Sequence, residues 1–210
     1  MDIPDLNLFM VCHKANPAAA GELPRGFYFD TCRPDELDIW KAFPFDTPEQ
    51  VTEYKPYMDA YFDRVYRPQA EEFFSRCVFV RNEAGEPVAT AFLWDAYGKV
   101  PTLHWVKTRK EYEDRGIGRA LLTKLLLDEN APATVCRHTQ PGSYRAIKLY
   151  SDFGFALITD EKIGYRHNGL WESLPYLEKV MPETAYEALC FAPAPEQLIY
   201  AAGSSEHSEF

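Results

Sequence analysis

The stretch HWVKTRKEYEDRGIGRALLTKLLL, His104–Leu127, reads as a strand end, a basic glycine-containing turn and then a helix. Ile117, Leu121 and Leu125 fall on one helical face at i, i+4 and i+8, and Leu122 and Leu126 widen that stripe. Arg119, Lys124 and Asp128 lie elsewhere around the helix. The turn is Glu113-Asp114-Arg115-Gly116-Ile117-Gly118. Glycine at a helix start lets the backbone approach a ligand closely. The unpaired N–H groups and the positive dipole end there favour an anion such as a phosphate. On its own, the turn fits a phosphate cradle and a plain backbone turn equally.

The neighbouring segments give the turn a setting. Thr102–Thr108 reads as the strand that feeds it, and Thr134–His138 (TVCRH) as the strand after the helix. A strand–helix–strand crossover of this kind makes its two strands parallel. Upstream, Cys77–Arg81 and Val88–Trp94 read as a hairpin turning at Asn82–Glu86, with a further turn at Tyr97–Lys99. Phe27–Cys32 is a short aromatic strand. Helices are expected after Arg33-Pro34-Asp35, after Thr47-Pro48-Glu49-Gln50 and over Gln69–Arg76. Downstream, Tyr144–Asp152 reads as a helix stopped by Gly154, and Phe155–Thr159 as a strand. Trp171–Met181 reads as a helix, with Pro175 tolerable only near its start. Thr184–Ala192 fits helix or strand, Pro193 and Pro195 break the chain, and residues 203–208 read as a loose tail. The leader, 1–25, reads as irregular.

The 210 residues suit one good-sized domain. Hydrophobic residues at 46% and charged residues at 26% suit a soluble globular chain. A net charge of -10 argues against non-specific nucleic-acid binding and against an anionic membrane surface. No apolar run is long enough to span a bilayer, and the N-terminal stretch lacks a basic leader. The five cysteines are odd in number, scattered and without a CxxC pair, which points to reduced cytoplasmic thiols and to no metal site.

A second stretch is RHTQPGSYRAIKLYSDFGF, Arg137–Phe155. Together with the first it resembles the GNAT superfamily of acyl-CoA-dependent N-acetyltransferases. That family's motif A is a strand followed by Q/R-x-x-G-x-G/A opening a helix, which residues 113–118 match. Its motif B, N-x-x-A-I-x-L-Y-x-x-x-G-F, is matched by Ser143–Phe155. Glu113 replaces the usual Gln or Arg, and Ser143 replaces the Asn. An acid beside a pyrophosphate is unfavourable, so Glu113 is expected to point away or to pair with Arg115 or Arg119.

The resemblance implies an α/β fold in which a mixed, mostly antiparallel twisted sheet has a central splayed parallel pair and flanking helices. It covers roughly 77–159, so that residues 26–76 would be the acceptor side and 160–210 a C-terminal extension of a single domain. It implies acetyl-CoA as co-substrate, with Val106, Lys107 and Thr108 meeting the pantetheine arm and acyl carbonyl. The pyrophosphate would lie against Glu113, Asp114, Arg115, Gly116, Ile117, Gly118, Arg119 and Ala120, while Ser143 and Ala146 would help hold the arm. Tyr150 matches the tyrosine that faces the sulfur and is expected to be the general acid, the alternative being a packed core aromatic. His138 is the first candidate for general base and His104 a weaker one. Asp95 would either anchor a cationic acceptor or serve its turn. The acceptor would be a small-molecule or peptide amine, the protein a monomer or homodimer, and no metal is implied. A silent acyl-CoA sensor on the same fold is the alternative.

Overall fold

A computed structural model describes residues 2–210. The strands and helices follow in chain order. They begin with β1 (Leu8–Cys12), β2 (Phe27–Thr31), α1 (Leu37–Ala42), α2 (Pro48–Val65) and α3 (Ala70–Arg76). The middle of the chain holds β3 (Val78–Asn82), β4 (Pro87–Ala96), β5 (Val100–Thr108), α4 (Ile117–Leu126), β6 (Val135–Thr139) and α5 (Tyr144–Asp152). The last third holds β7 (Ala156–Ile158), β8 (Lys162–Ile163), β9 (Arg166–His167), α6 (Leu170–Val180), α7 (Glu183–Glu187), β10 (Phe191–Ala192) and α8 (Glu196–Gly203). The sheet is mixed and mostly antiparallel, with parallel pairing of β5 with β6 and of β10 with β7, and helices flank it.

The chain forms two compact units. One comprises residues up to Ala20 together with Trp94–Leu103 and Glu129–Phe210; the other comprises Gly21–Leu93 and His104–Asp128. In the first, the strand order is β10-β7-β1-β6-β5. β1 runs antiparallel to β6, from Leu8 opposite Thr139 to Cys12 opposite Val135. All five residues of β1 are buried, so both faces are covered and the run LFMVC shows no polar alternation. Leu8–Cys12 is therefore a strand of the sheet, within the leader expected to be irregular. The core here joins Phe9, Val11, Cys136, Ile158 and Leu198. Leu198 lies in α8, which begins directly after Pro195 at its N-cap. A proline just outside a helix start has no N–H to leave unpaired, so the residue expected to break the chain instead begins a helix. Pro175 sits well inside α6, beyond the position expected to tolerate it.

In the second unit the order is β2-β3-β4, with β2 antiparallel to β3 and β3 antiparallel to β4. α4 buries Ile117, Ala120, Leu121, Leu122 and Leu126. Each fully buried leucine contributes roughly 2 kcal/mol by leaving water. An aromatic cluster of Trp40, Phe62, Tyr66, Phe73 and Phe92 fills the other part of this unit, with centroids 4.9 to 6.3 Å apart. Arg81 is 1% exposed and is held by a bidentate pair to Glu36, by Asp30, and by the Gly85 and Thr31 carbonyls. The guanidinium holds the Glu36 carboxyl down at about 2.

Of the five cysteines, Cys12, Cys32, Cys77 and Cys136 are buried thiols and Cys190 is exposed. Burial pushes Cys12 up, Cys77 well up, and Cys136 up to about 12.

Candidate functional site

The second unit holds the turn. Near the end of β5, Trp105 has φ 47°, the left-handed region that a bulky residue rarely enters. Packing holds it there. Its ring lies edge-on to Trp40 at 5.8 Å and to Tyr61 at 5.4 Å, and its Nε1 donates to the Tyr66 hydroxyl at 3.0 Å. The same hydroxyl is hydrogen-bonded to His104 Nδ1 at 2.5 Å, and a hydrogen bond with Tyr61 also bears on it. His104 is 2% exposed, and its Nδ1 is engaged by this bond.

At the end of β5, Val106, Lys107 and Thr108 are half-buried, and Lys107 Nζ donates to Asp46 at 2.6 Å. A single 3-10 turn, Lys110–Tyr112, ends at Glu113. Asp114 (φ 58°) and Gly116 (φ 83°) then bring two left-handed residues into three positions, and α4 starts at Ile117. Such a path turns successive N–H groups to one side of the backbone. Gly116 is the N-cap and offers no side chain to those groups. A Cβ built on it meets nothing within 4 Å, so the space before the helix start is open. A free N-cap facing open space, with the dipole behind it, suits an anionic group.

The side chains around the turn mostly fold back. Arg115 lies over the Tyr112 ring at 5.1 Å and donates to the Glu111 carbonyl at 2.9 Å. The aliphatic stem of Arg119 packs at Gly21, where an added Cβ would come within 2.9 Å of it. Glu113 and Asp114 are exposed. Gly118 and Ala120 lie in the first turn and a half of α4. The same unit has an open cavity of about 740 Å³ lined by α1, the start of α2 and the end of β5. Phe43, Phe45 and Val51 give it apolar walls, Asp38, Asp46 and Glu111 give it carboxylates, and Lys107, Arg109 and Lys110 balance these with cations.

The first unit holds the motif B helix. Ser143 caps α5 without a side-chain cap bond, and it is exposed. Ala146 is half-buried. Tyr150 is fully buried, and its hydroxyl has no hydrogen-bond partner. A buried hydroxyl left unpaired costs about 1–3 kcal/mol. Burial pushes the Tyr150 phenol up, and the Arg137 guanidinium, 5.2 Å from the ring, opposes that rise. Arg137 Nη1 donates to the Leu103 carbonyl at 2.7 Å, while its buried Nε has no partner.

His138, next along β6, donates from Nε2 to Asn7 Oδ1 at 2.9 Å and packs on Phe9. Burial, then the charges of Arg166 and Arg137, hold its ring down at about 3. A base that weak stays neutral at working pH but takes a proton poorly. Asp95 is half-buried, and its carbonyl accepts from Gly98 N in the turn between β4 and β5.

Arg137, Tyr66 and Asn7 had no place in the sequence reading. Arg137 was visible only through strand alternation, which puts residue 137 on the opposite face from 136 and 138. Tyr66 and Asn7 lie far along the chain from the histidines they bond, and no local pattern carries such a contact.

Among solved structures, the chain is similar to a functionally unknown conserved protein from Staphylococcus epidermidis, at 13% identity and a TM-score of 0.50. That alignment covers 72% of this chain and 57% of the other. A GCN5-related N-acetyltransferase from Sphaerobacter thermophilus aligns at 17% identity and a TM-score of 0.49, over 72% of this chain and 48% of that one. A tandem GNAT protein from the clavulanic acid biosynthesis pathway aligns at 15% identity and a TM-score of 0.49, over 74% and 50%. The chain thus spans about half the length of these proteins. No curated protein matches it. The pattern of the acetyltransferase (GNAT) family matches residues 37–155, more than half of the chain and including both motifs, and the chain belongs to that family.

Proposed function

We propose that the protein moves an acetyl group from acetyl-CoA to a primary amine of a small molecule or peptide, by direct attack while both substrates are bound. The observation that carries the reading is the turn at 113–118. It has two left-handed residues, a glycine N-cap and open space in front of the α4 N–H groups. In this reading the N–H groups from Arg115 to Ala120 hold the donor's pyrophosphate, and small residues keep the backbone accessible. The folded-back arginines leave the backbone to do most of this work, and the exposed Glu113 stays clear of the phosphate.

The strand Val106–Thr108 takes the pantetheine arm by backbone pairing, as peptides join a sheet edge. A backbone N–H there steadies the oxyanion. Ser143 and Ala146 help hold the arm, and Tyr150 gives its proton to the departing sulfur. A free amine with a pKa of about 10.4 must lose a proton before attack. Neither His138 nor His104 suits that step, the first by its weak basicity and the second by its occupied Nδ1. Removal through water fits better. The cavity beside α1 and α2 pairs apolar walls with carboxylates and an equal number of cations, which suits a partly apolar acceptor.

The test is to incubate the protein with acetyl-CoA and a panel of amines while following free thiol. Amine-dependent thiol release is expected. Tight acetyl-CoA binding without release for any amine would replace the enzyme with a silent acyl-CoA sensor.

A further inference from the structure

Two buried donors in the first unit have nothing to donate to. The Tyr150 hydroxyl and Arg137 Nε are each shielded from solvent and unpartnered. They belong to side chains in contact, with the Arg137 guanidinium carbon 5.2 Å from the Tyr150 ring centroid. Arg137 is also fixed, because Nη1 is clamped at 2.7 Å on the Leu103 carbonyl. That clamp lies one residue past the parallel contact of Thr102 with Cys136. A fully buried phenol beside a fixed cation, each with an unused donor, is an arrangement for receiving negative charge. As core packing alone it would leave two desolvated donors uncompensated.

We infer that Arg137 is a positioning residue for the acyl transfer, acting through Tyr150, so that the tyrosine can release its proton to the leaving sulfur and carry the resulting charge. This rests on the acyl-transfer reading. The amine nitrogen has bonded to the acyl carbon. The C–S bond breaks with its electron pair passing to sulfur, and the Tyr150 O–H proton moves to that sulfur to give the free thiol. The tyrosinate left behind recovers a proton from the one shed by the nitrogen. A thiolate is a weaker base than an ordinary tyrosinate, by roughly 8.5 against 10. Burial alone widens that gap, since it pushes the Tyr150 phenol up. The Arg137 cation narrows it by favouring the anion.

The experiment compares wild type with Arg137→Gln, Arg137→Lys, Tyr150→Phe and the Arg137→Gln/Tyr150→Phe double variant, each first checked for native circular dichroism. Thiol release is measured for all. Arg137→Gln is expected to lower kcat about 10- to 100-fold with donor KM nearly unchanged, and the lysine variant to recover part of it. The double variant should be no slower than Tyr150→Phe alone. Losses that multiply would show that Arg137 does not act through the tyrosine and would overturn the inference.

A second readout does not need turnover. With difluorotyrosine incorporated, the residue 150 phenol is titrated by fluorine NMR and assigned by its absence in Tyr150→Phe. Arg137→Gln should raise its titration midpoint about tenfold in proton affinity or more. An unmoved midpoint overturns the inference while leaving acyl transfer standing. Wild type that releases no thiol with any acyl-CoA overturns the acyl-transfer reading, and the role of Arg137 in turnover falls with it.

Discussion

Tyr150 can lose its hydroxyl without losing a hydrogen bond, because it makes none. Tyr150→Phe should therefore leave the melting temperature unchanged or slightly raised, since it removes an unsatisfied buried polar group. In the proposed reaction the same change lowers kcat by about 100-fold or more and leaves acetyl-CoA affinity nearly intact. Unchanged turnover would return the residue to the core. The sequence showed Tyr150 through its place in the motif B pattern but not its unpaired state. Burial and missing partners are properties of the folded neighbourhood, and Arg137 comes from β6 while Tyr150 is on α5. His138 is the reverse case. Its residue type suggested a base, but Phe9, Asn7 and the nearby arginines give it a weakly basic, hydrogen-bonded ring.

Among elements, the β5–turn–α4 unit was the most legible, because leucine spacing and glycine placement are local signals. Gly116 and Gly118 separate two uses of glycine. At Gly116 an alanine meets no neighbour but must hold φ 83°, so Gly116→Ala should cost about 1–2 kcal/mol of stability from backbone strain. Chemical denaturation reads this directly. Gly118 is inside the helix, so Gly118→Val should fold and instead weaken acetyl-CoA binding, read by calorimetry. Intact affinity would remove the pyrophosphate from this turn. β1 lacks alternation because both of its faces are covered. α8 follows a proline that reads as a breaker but caps it.

For the molecule as a whole, His138 and Glu36 have the largest shifts that set a response to acid. The folded His138 ring sits near 3 against an ordinary 6.5. Unfolding therefore takes up a proton below pH 6.5, so its contribution is full above 6.5 and lost as pH falls toward 3. Glu36 sits near 2 against 4.5, so its contribution holds above 4.5 and is lost as pH falls toward 2. The urea midpoint should therefore begin to drop below pH 6.5 and fall more steeply below 4.5. His138→Gln should flatten the upper limb alone; a limb that persists would show that the ring is not held neutral. Glu36→Gln should make the lower limb shallower, the rest coming from carboxylates such as Asp30 and Asp59 that are also held down, and cost about 3 kcal/mol at neutral pH, because buried Arg81 loses its bidentate partner.

The cysteine arrangement has a practical consequence for chemistry at the bench. Thiol reagents attack the thiolate, and four of the five sulfurs are buried. The native protein should take up one equivalent of a maleimide quickly, at Cys190, and the other four only as it opens. Cys190 is thus a natural attachment point for a single dye or spin label. The slow equivalents form a clock for unfolding under native conditions, and a Cys190→Ser variant would give a thiol-release assay free of protein background. Rapid uptake of more than one equivalent by folded protein would contradict the burial of the rest.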